Sequence, residues 1–182
     1  MVYSAAQLVR ARGMSGVGVR DVIEHAEAPR GSFQHYFPDG KDQLISEALE
    51  WSGDFAAQHV RSYLKLARRP TPGGLFAHMV DQWKRDLIRY DYERGCPLVA
   101  TAADVAGSDA PMAECVGAAA AVWNGAIVDT LDTIGVPRRR ARSLALLMLS
   151  ALEGAILLAR IQRDLRPLTI VAAELRPVLD AA

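Results

Sequence analysis

Arg30, Gln34 and His35 place a guanidinium, an amide and an imidazole within six residues, in the stretch VRDVIEHAEAPRGSFQHYFPDGK from Val19 to Lys41. Spacing sorts this stretch into two short helices. Val19, Val22, Ile23 and Ala26 fall at i, i+3, i+4 and i+7, one apolar stripe. Glu27 and Ala28 break it. Pro29 suits the first position of a second helix, where its missing N–H costs nothing. From Pro29 to Tyr36, Phe33 and Phe37 share one face while Arg30, Gln34 and His35 point elsewhere. That is the geometry of a helix-turn-helix, whose second helix enters the major groove of DNA. Val19, Val22, Ile23, Phe33 and Phe37 are expected in the core, and His25 at the surface.

Nothing else in the chain offers comparable chemistry. The four histidines fall in no HExxH, and no GxSxG or P-loop occurs, so the sequence argues against an enzyme. Cys96 and Cys115 match no metal or redox spacing, which predicts no cofactor, no metal and a reduced, cytoplasmic protein. MVYSAAQLVRARG lacks the h-region of a signal peptide. No uninterrupted apolar run reaches the roughly 18 residues of a membrane span. With 21 basic and 21 acidic residues the net charge is zero. In the first 45 residues Arg10, Arg12, Arg20, Arg30 and Lys41 are balanced by Asp21, Glu24, Glu27, Asp39 and Asp42. DNA binding must then rest on a local basic face, not on bulk charge.

The elements that would position these groups all read as helix. The first covers Val2 to Arg12 and stops at Gly13, an expected left-handed cap. The second and third are Val19–Ala26, with Gly18 as N-cap, and Pro29–Tyr36. Pro38-Asp39-Gly40 turns the chain, with Asp39 a capping candidate. Further helices are expected over Lys41–Ala67, Gly74–Tyr90, Gly95 to about Gly107, Ala110–Ile134, the stretch from Gly135 to about Asp164, and Pro167–Arg176, where Pro177 should end or kink the last. The expected architecture is all-α with about nine helices: a three-helix head over residues 1–45 and a larger helical body over 46–182.

AAQLVRARG, VRDVIEHA and PRGSFQHYFPDGKDQL, followed in the body by GCPLVATAAD and ALEGAILLAR, resemble the tetracycline-repressor-like (TetR) family of bacterial transcription regulators, in its LmrA/YxaF-like branch. The resemblance spans essentially the whole chain. It implies a homodimer, a DNA-binding head, a small organic effector held in a body pocket, and release of double-stranded operator DNA on effector binding. Three features depart from the family pattern. Glu27 stands where a small residue, often Gly, is usual. Gln34 replaces a common Tyr, supplying an amide that can pair with adenine. The chain begins almost at its first helix, without the longer basic lead-in of many relatives, which predicts weaker binding or a start placed too far downstream. A ligand- or protein-binding relative with weak or lost DNA binding is therefore the alternative.

Carried over residue by residue, the resemblance makes Arg20 a base reader and turns Arg30, Ser32, Gln34 and His35 to the groove. Tyr36 would reach a phosphate, or pack beside Phe37 under the first helix. Lys41 would neutralise another phosphate. Candidate effector-pocket residues are Phe55, Phe76, Met79, Trp83, Met112, Trp123, Asn124, Met148 and Glu153, with ordinary core as the competing reading. Asn124 beside Trp123, and Glu153 between Leu152 and Gly154, invite polar partners because an unpaired buried polar group is costly. Leu149, Leu152, Ile156 and Ala159, with Leu168, Val171, Leu175 and Leu179, form apolar faces that suit either a dimer interface or the body's own core.

Overall fold

The computed structural model describes residues 1–181. Among them the ordered elements are all helices: α1 (Val2–Arg12), α2 (Val19–His25), α3 (Ser32–Tyr36), α4 (Lys41–Leu66), α5 (Pro72–Arg89), α6 (Pro97–Val105), α7 (Ala110–Thr133), α8 (Arg138–Gln162) and α9 (Arg166–Asp180). They fall into two compact units. The first comprises residues 1–54 and 96–120; the second comprises residues 55–95 and those from 121 onward.

In the first unit α1 packs on α6. Ala5, Ala6, Leu8 and Val9 are buried on α1, Val22 on α2, Phe33 and Phe37 around α3, and Leu44, Ile45, Ala48 and Leu49 on α4. Val19 and Ile23, expected in the core, are only half-buried, because a seven-residue α2 can present little more than one residue per turn to its neighbours. Val17, just outside the helix, is buried instead. Gly53 lets α4 approach α7 closely: a Cβ there would stand 2.7 Å from the Ala119 carbonyl oxygen.

The second unit is built on α5, α8 and α9, each packed on the other two. Leu75, Phe76, Met79, Val80 and Leu87 of α5 meet Leu144, Met148, Leu152, Ile156 and Ala159 of α8 and Leu168 and Leu179 of α9 in its buried core.

Local chemistry explains where the helices differ from the sequence expectation. Gly13 has φ 74° but ψ 170°, a conformation essentially confined to glycine, and not the left-handed helical cap. Pro29, Arg30 and Gly31 form a turn instead of the first turn of α3. There the Pro29 carbonyl accepts from the Ser32 N–H at 2.9 Å and from the Ser32 hydroxyl at 2.7 Å. α9 does not end at Pro177 but continues to Asp180. Pro177 removes one bond from the ladder, while Leu179 is fully buried and the Asp180 carboxylate accepts from the Gly73 N–H at 2.7 Å. Those anchors outweigh one lost bond.

α7 and α8 are each long and apolar enough to cross a membrane by length and composition, with mean hydropathy of 1.2 and 2.0 over their richest windows. Neither contains an uninterrupted apolar run of that length, because Asn124 punctuates α7 and Ser150 and Glu153 punctuate α8. Only 33% and 39% of those windows are buried within the chain.

Candidate nucleic-acid interface

Residues 18–41 form the candidate interface. The backbone N–H of Gly18 donates to the Asp21 carboxylate at 2.9 Å, fixing the start of α2. The same carboxylate lies 3.9 Å from the Arg12 guanidinium, an exposed pair. α2 closes in a Schellman motif: the Ala28 N–H bonds the Ile23 carbonyl at 3.0 Å and the Glu27 N–H bonds the Glu24 carbonyl at 3.0 Å. That motif needs a left-handed residue, and Glu27 supplies it at φ 50°. Its side chain is exposed. A glutamate thus occupies a backbone position that glycine fills at no steric cost.

α3 is short and rests on an aromatic floor. Phe33 and Phe37 are buried with ring centroids 5.4 Å apart. Around it, Arg20 on α2, Arg30 in the turn, and Gln34, His35 and Tyr36 on α3 are exposed, and Ser32 is half-buried. Tyr36 is 62% exposed, so it does not pack under α1, and its ring meets His35 edge-on at 5.0 Å. Gln34 Nε2 donates to the Pro38 carbonyl at 3.3 Å. Asp39 does not cap α4 with its side chain in the observed bonding; its N–H donates to Gln43 Oε1 at 3.1 Å. His25 is exposed as expected.

Lys41 is half-buried and commits its ammonium to the Met14 carbonyl at 2.9 Å. It fastens the loop between α1 and α2. That loop is held from a second side, where Asp104 of α6 accepts from the Ser15 N–H at 2.8 Å. Sequence reasoning missed both fastenings, because the partners stand 27 and 89 residues apart and no local pattern joins them.

The candidate effector residues have mixed environments. Phe76, Met79, Met112, Trp123 and Met148 are buried; Trp83, Asn124 and Glu153 are half-buried; Phe55 is 49% exposed and is no interior wall in this chain. Met112 belongs to the first unit and the others to the second. Trp123 Nε1 and Asn124 Oδ1 are buried with no hydrogen-bond partner among the described residues.

The expected dimer faces need correction. Leu152, Ile156, Ala159, Leu168 and Leu179 are buried within the chain's own second unit, and Leu149, Val171 and Leu175 are half-buried. The apolar residues left exposed are Leu146, Leu147, Leu157, Leu158 and Ile161 on α8, with Ile170 and Val178 on α9. Leu146, Leu147, Leu157, Leu158 and Ile161 fall within about a third of the helix circumference, opposite the buried Leu144, Met148, Leu152 and Ala155. Of the consecutive Arg138, Arg139 and Arg140, Arg138 donates to Asp132 at 2.9 Å and to Asp129 at 3.1 Å, joining the end of α7 to the start of α8. Neither cysteine forms a disulfide: Cys96 is buried, and Cys115 is half-buried with its Sγ accepting from the Ser46 hydroxyl at 3.4 Å.

This architecture has close relatives. Residues 3–48 match the family model described as bacterial regulatory proteins, tetR family, and residues 72–174 match transcriptional regulator LmrA/YxaF-like, C-terminal domain. The HTH-type transcriptional regulator Rv0196 of Mycobacterium tuberculosis is 41% identical over 187 residues, covering 98% of this chain and 92% of the relative. LmrA of Bacillus subtilis, an HTH-type transcriptional regulator, is 25% identical over 173 residues, covering 95% of this chain and 91% of LmrA. The crystal structure of regulatory protein TetR from Rhodobacter sphaeroides shares the fold, with a TM-score of 0.81 at 19% identity over 97% of this chain and 95% of that one. These relatives are transcription regulators and not enzymes, and regulators of this kind bind operator DNA and a small-molecule effector and act as dimers. The chain is a member of the TetR family of bacterial transcription regulators, with a DNA-binding helix-turn-helix head and a C-terminal region of the LmrA/YxaF-like type.

Proposed function

We propose that the protein is a homodimeric, cytoplasmic repressor that holds a pseudo-palindromic operator and releases it when a small organic molecule binds the body. The observation that carries this reading is the exposure of Arg20, Arg30, Gln34, His35 and Tyr36 within a helix-turn-helix whose Phe33 and Phe37 are buried. Arg20 reads a guanine edge, Gln34 an adenine edge, and Tyr36 reaches a phosphate. Lys41 serves the interface by bracing the loop before α2, and Ser32 by setting the turn before α3. The head, residues 1–45, does the DNA binding, and residues 46–182 bind effector and partner. Two heads about one helical turn apart would enter successive major grooves.

On the body side, Trp123 Nε1 and Asn124 Oδ1 support an effector with both an acceptor and a donor, because a buried polar atom gains most from a partner that completes it. Effector coupling of about 1–3 kcal/mol is enough to release the operator. The exposed leucines of α8 support burial against a second copy.

Purified protein is titrated onto DNA from just upstream of its own coding region, across a salt series, beside Arg20→Ala. Sequence-specific binding that falls steeply with salt and is lost in the variant establishes the function. Weak, sequence-blind binding that is equal in both favours the second reading, a family member with impaired DNA binding. The exposed, left-handed Glu27 is the observation behind that alternative.

A further inference from the structure

His59 on α4 and His78 on α5 stack face to face, with ring centroids 4.0 Å apart and planes 5° from parallel. Their bonding is reciprocal. His59 Nε2 donates to the His78 carbonyl at 3.2 Å, and His78 Nε2 donates to the His59 carbonyl at 3.1 Å. A carbonyl only accepts, so each ring carries its proton on Nε2 and leaves Nδ1 bare. Ser62 Oγ, which donates to the His59 carbonyl at 2.6 Å, lies 3.2 Å from His78 Nε2 and closes the cluster. Both rings are half-buried.

A proton on either Nδ1 puts a full positive charge against the face of the other ring. A charge on the His78 ring therefore opposes a proton on His59. The charged groups acting on His59 are His78, Arg85 and Asp86, all on α5; the first two oppose a proton and the third favours it. No charge from α8 or α9, which also pack on α5, joins that set. Burial is the largest influence, and together these hold the His59 imidazole below its ordinary value, the His78 carbonyl bond pulling the other way. A second fastening nearby is insensitive in this range. The Tyr63 hydroxyl donates to the Thr71 carbonyl at 3.2 Å and accepts from the Thr71 N–H at 3.0 Å, tying the end of α4 to the start of α5. The Tyr63 ring is 5.7 Å from that of His78.

We propose that the His59–His78 stack is a proton-operated clamp between α4 and α5, closed when both rings are neutral and opened by acid, with Tyr63–Thr71 as the fixed end about which it opens. α4 is one continuous helix from Lys41, in the head, to Leu66. Loosening its His59 end therefore changes how firmly the helix that begins in the head is held. The clamp stands on the geometry of the pair alone; its effect on operator DNA rests on the repressor function proposed above.

Of the four histidines, His25 and His35 are exposed and stand outside this cluster. Imidazole C–H signals are followed by NMR from pH 8 to 4.5, to either side of the ordinary value of about 6.5, in the wild type, His59→Gln, His78→Gln and the double variant. Glutamine keeps an N–H donor but does not titrate. The clamp predicts that His59 titrates below the ordinary imidazole value in the wild type and moves back toward it in His78→Gln, where the facing side chain carries no charge. It also predicts that α4 amides near His59 exchange about tenfold faster at pH 5.5 than at 7.5, after correction for intrinsic rates, in the wild type but not in the double variant. A His59 titration that is the same in wild type and His78→Gln, or equal exchange in wild type and double variant, overturns the clamp. Operator affinity is read over the same range, with binding at pH 7.5 testing the repressor function independently. A roughly tenfold loss at pH 5.5 in the wild type relative to the double variant supports regulation. Equal pH profiles with an open clamp overturn the regulatory half alone.

Discussion

Glycine at position 27 should both tighten the fold and tighten the grip on DNA, and the two effects can be separated. Glu27 holds φ 50° at the left-handed position of the Schellman motif that closes α2. A left-handed L-residue costs roughly 1–2 kcal/mol in Cβ–carbonyl crowding. Glycine removes that cost but adds about 0.4–1 kcal/mol of unfolded-chain entropy. The net expectation for Glu27→Gly is a gain of about 0.5–1 kcal/mol, or roughly 2 °C in melting temperature for a chain of this size. Glu27→Asn, which tolerates the same conformation at lower cost, should gain less, and Glu27→Gln, which keeps the strain, should gain nothing. DNA affinity orders differently. Losing the exposed carboxylate relieves repulsion from nearby phosphates in Gln, Asn and Gly variants alike, by a few-fold at low salt and less as salt rises. Thermal unfolding and fluorescence-anisotropy titration at two salt concentrations read both quantities. A melting temperature that falls in Glu27→Gly, or rises equally in Glu27→Gln, would refute the conformational reasoning.

Arg20→Ala should lower specific operator affinity by about 1–3 kcal/mol, five- to 150-fold, and leave the melting temperature unchanged because Arg20 is exposed. Leu158→Glu on the outer face of α8, where Leu158 is 49% exposed, should convert a dimer to a folded monomer by analytical ultracentrifugation. Gly53→Val should destabilise by about 1–3 kcal/mol in urea unfolding, since its Cβ would stand 2.7 Å from the Ala119 carbonyl oxygen. Stability should also fall as pH drops through the ordinary imidazole range. His59 is held below its usual value, so the unfolded chain takes up protons first, and His59→Gln should flatten that part of the profile.

Helix after helix was legible because each apolar stripe has a period and each end has a stop: Gly13, Pro38-Asp39-Gly40, Gly135. Tertiary contacts moved the boundaries. α9 runs through Pro177 because Leu179 and Asp180 are anchored beyond it, and α3 starts late because Ser32 bonds back to Pro29. In the head, exposure of the polar side chains flanking Phe33 and Phe37 could be read from spacing alone, since a helix this short has one buried face. Lys41 could not be read, because its partner Met14 lies across a loop.

The faces of α8 were the least legible part, for a reason the helix itself supplies. Periodicity locates a buried stripe only when the opposite side is polar. On α8 Leu144, Met148, Leu152 and Ile156 face the core, while Leu146, Leu147, Leu157, Leu158 and Ile161 face out, so apolar residues run all round. Sequence periodicity picks out the stripe of Leu149, Leu152, Ile156 and Ala159, which suits a partner or the body's own core, and the chain buries Leu152, Ile156 and Ala159 itself. The stripe left over is also what makes α8 apolar enough to resemble a membrane span, with 39% of its window buried. A soluble helix carries such a surplus stably when something covers it. If a second copy does so, Leu158→Glu yields a soluble monomer; if the face is covered within the chain's own fold in solution, the same substitution leaves the oligomeric state untouched and lowers the melting temperature instead.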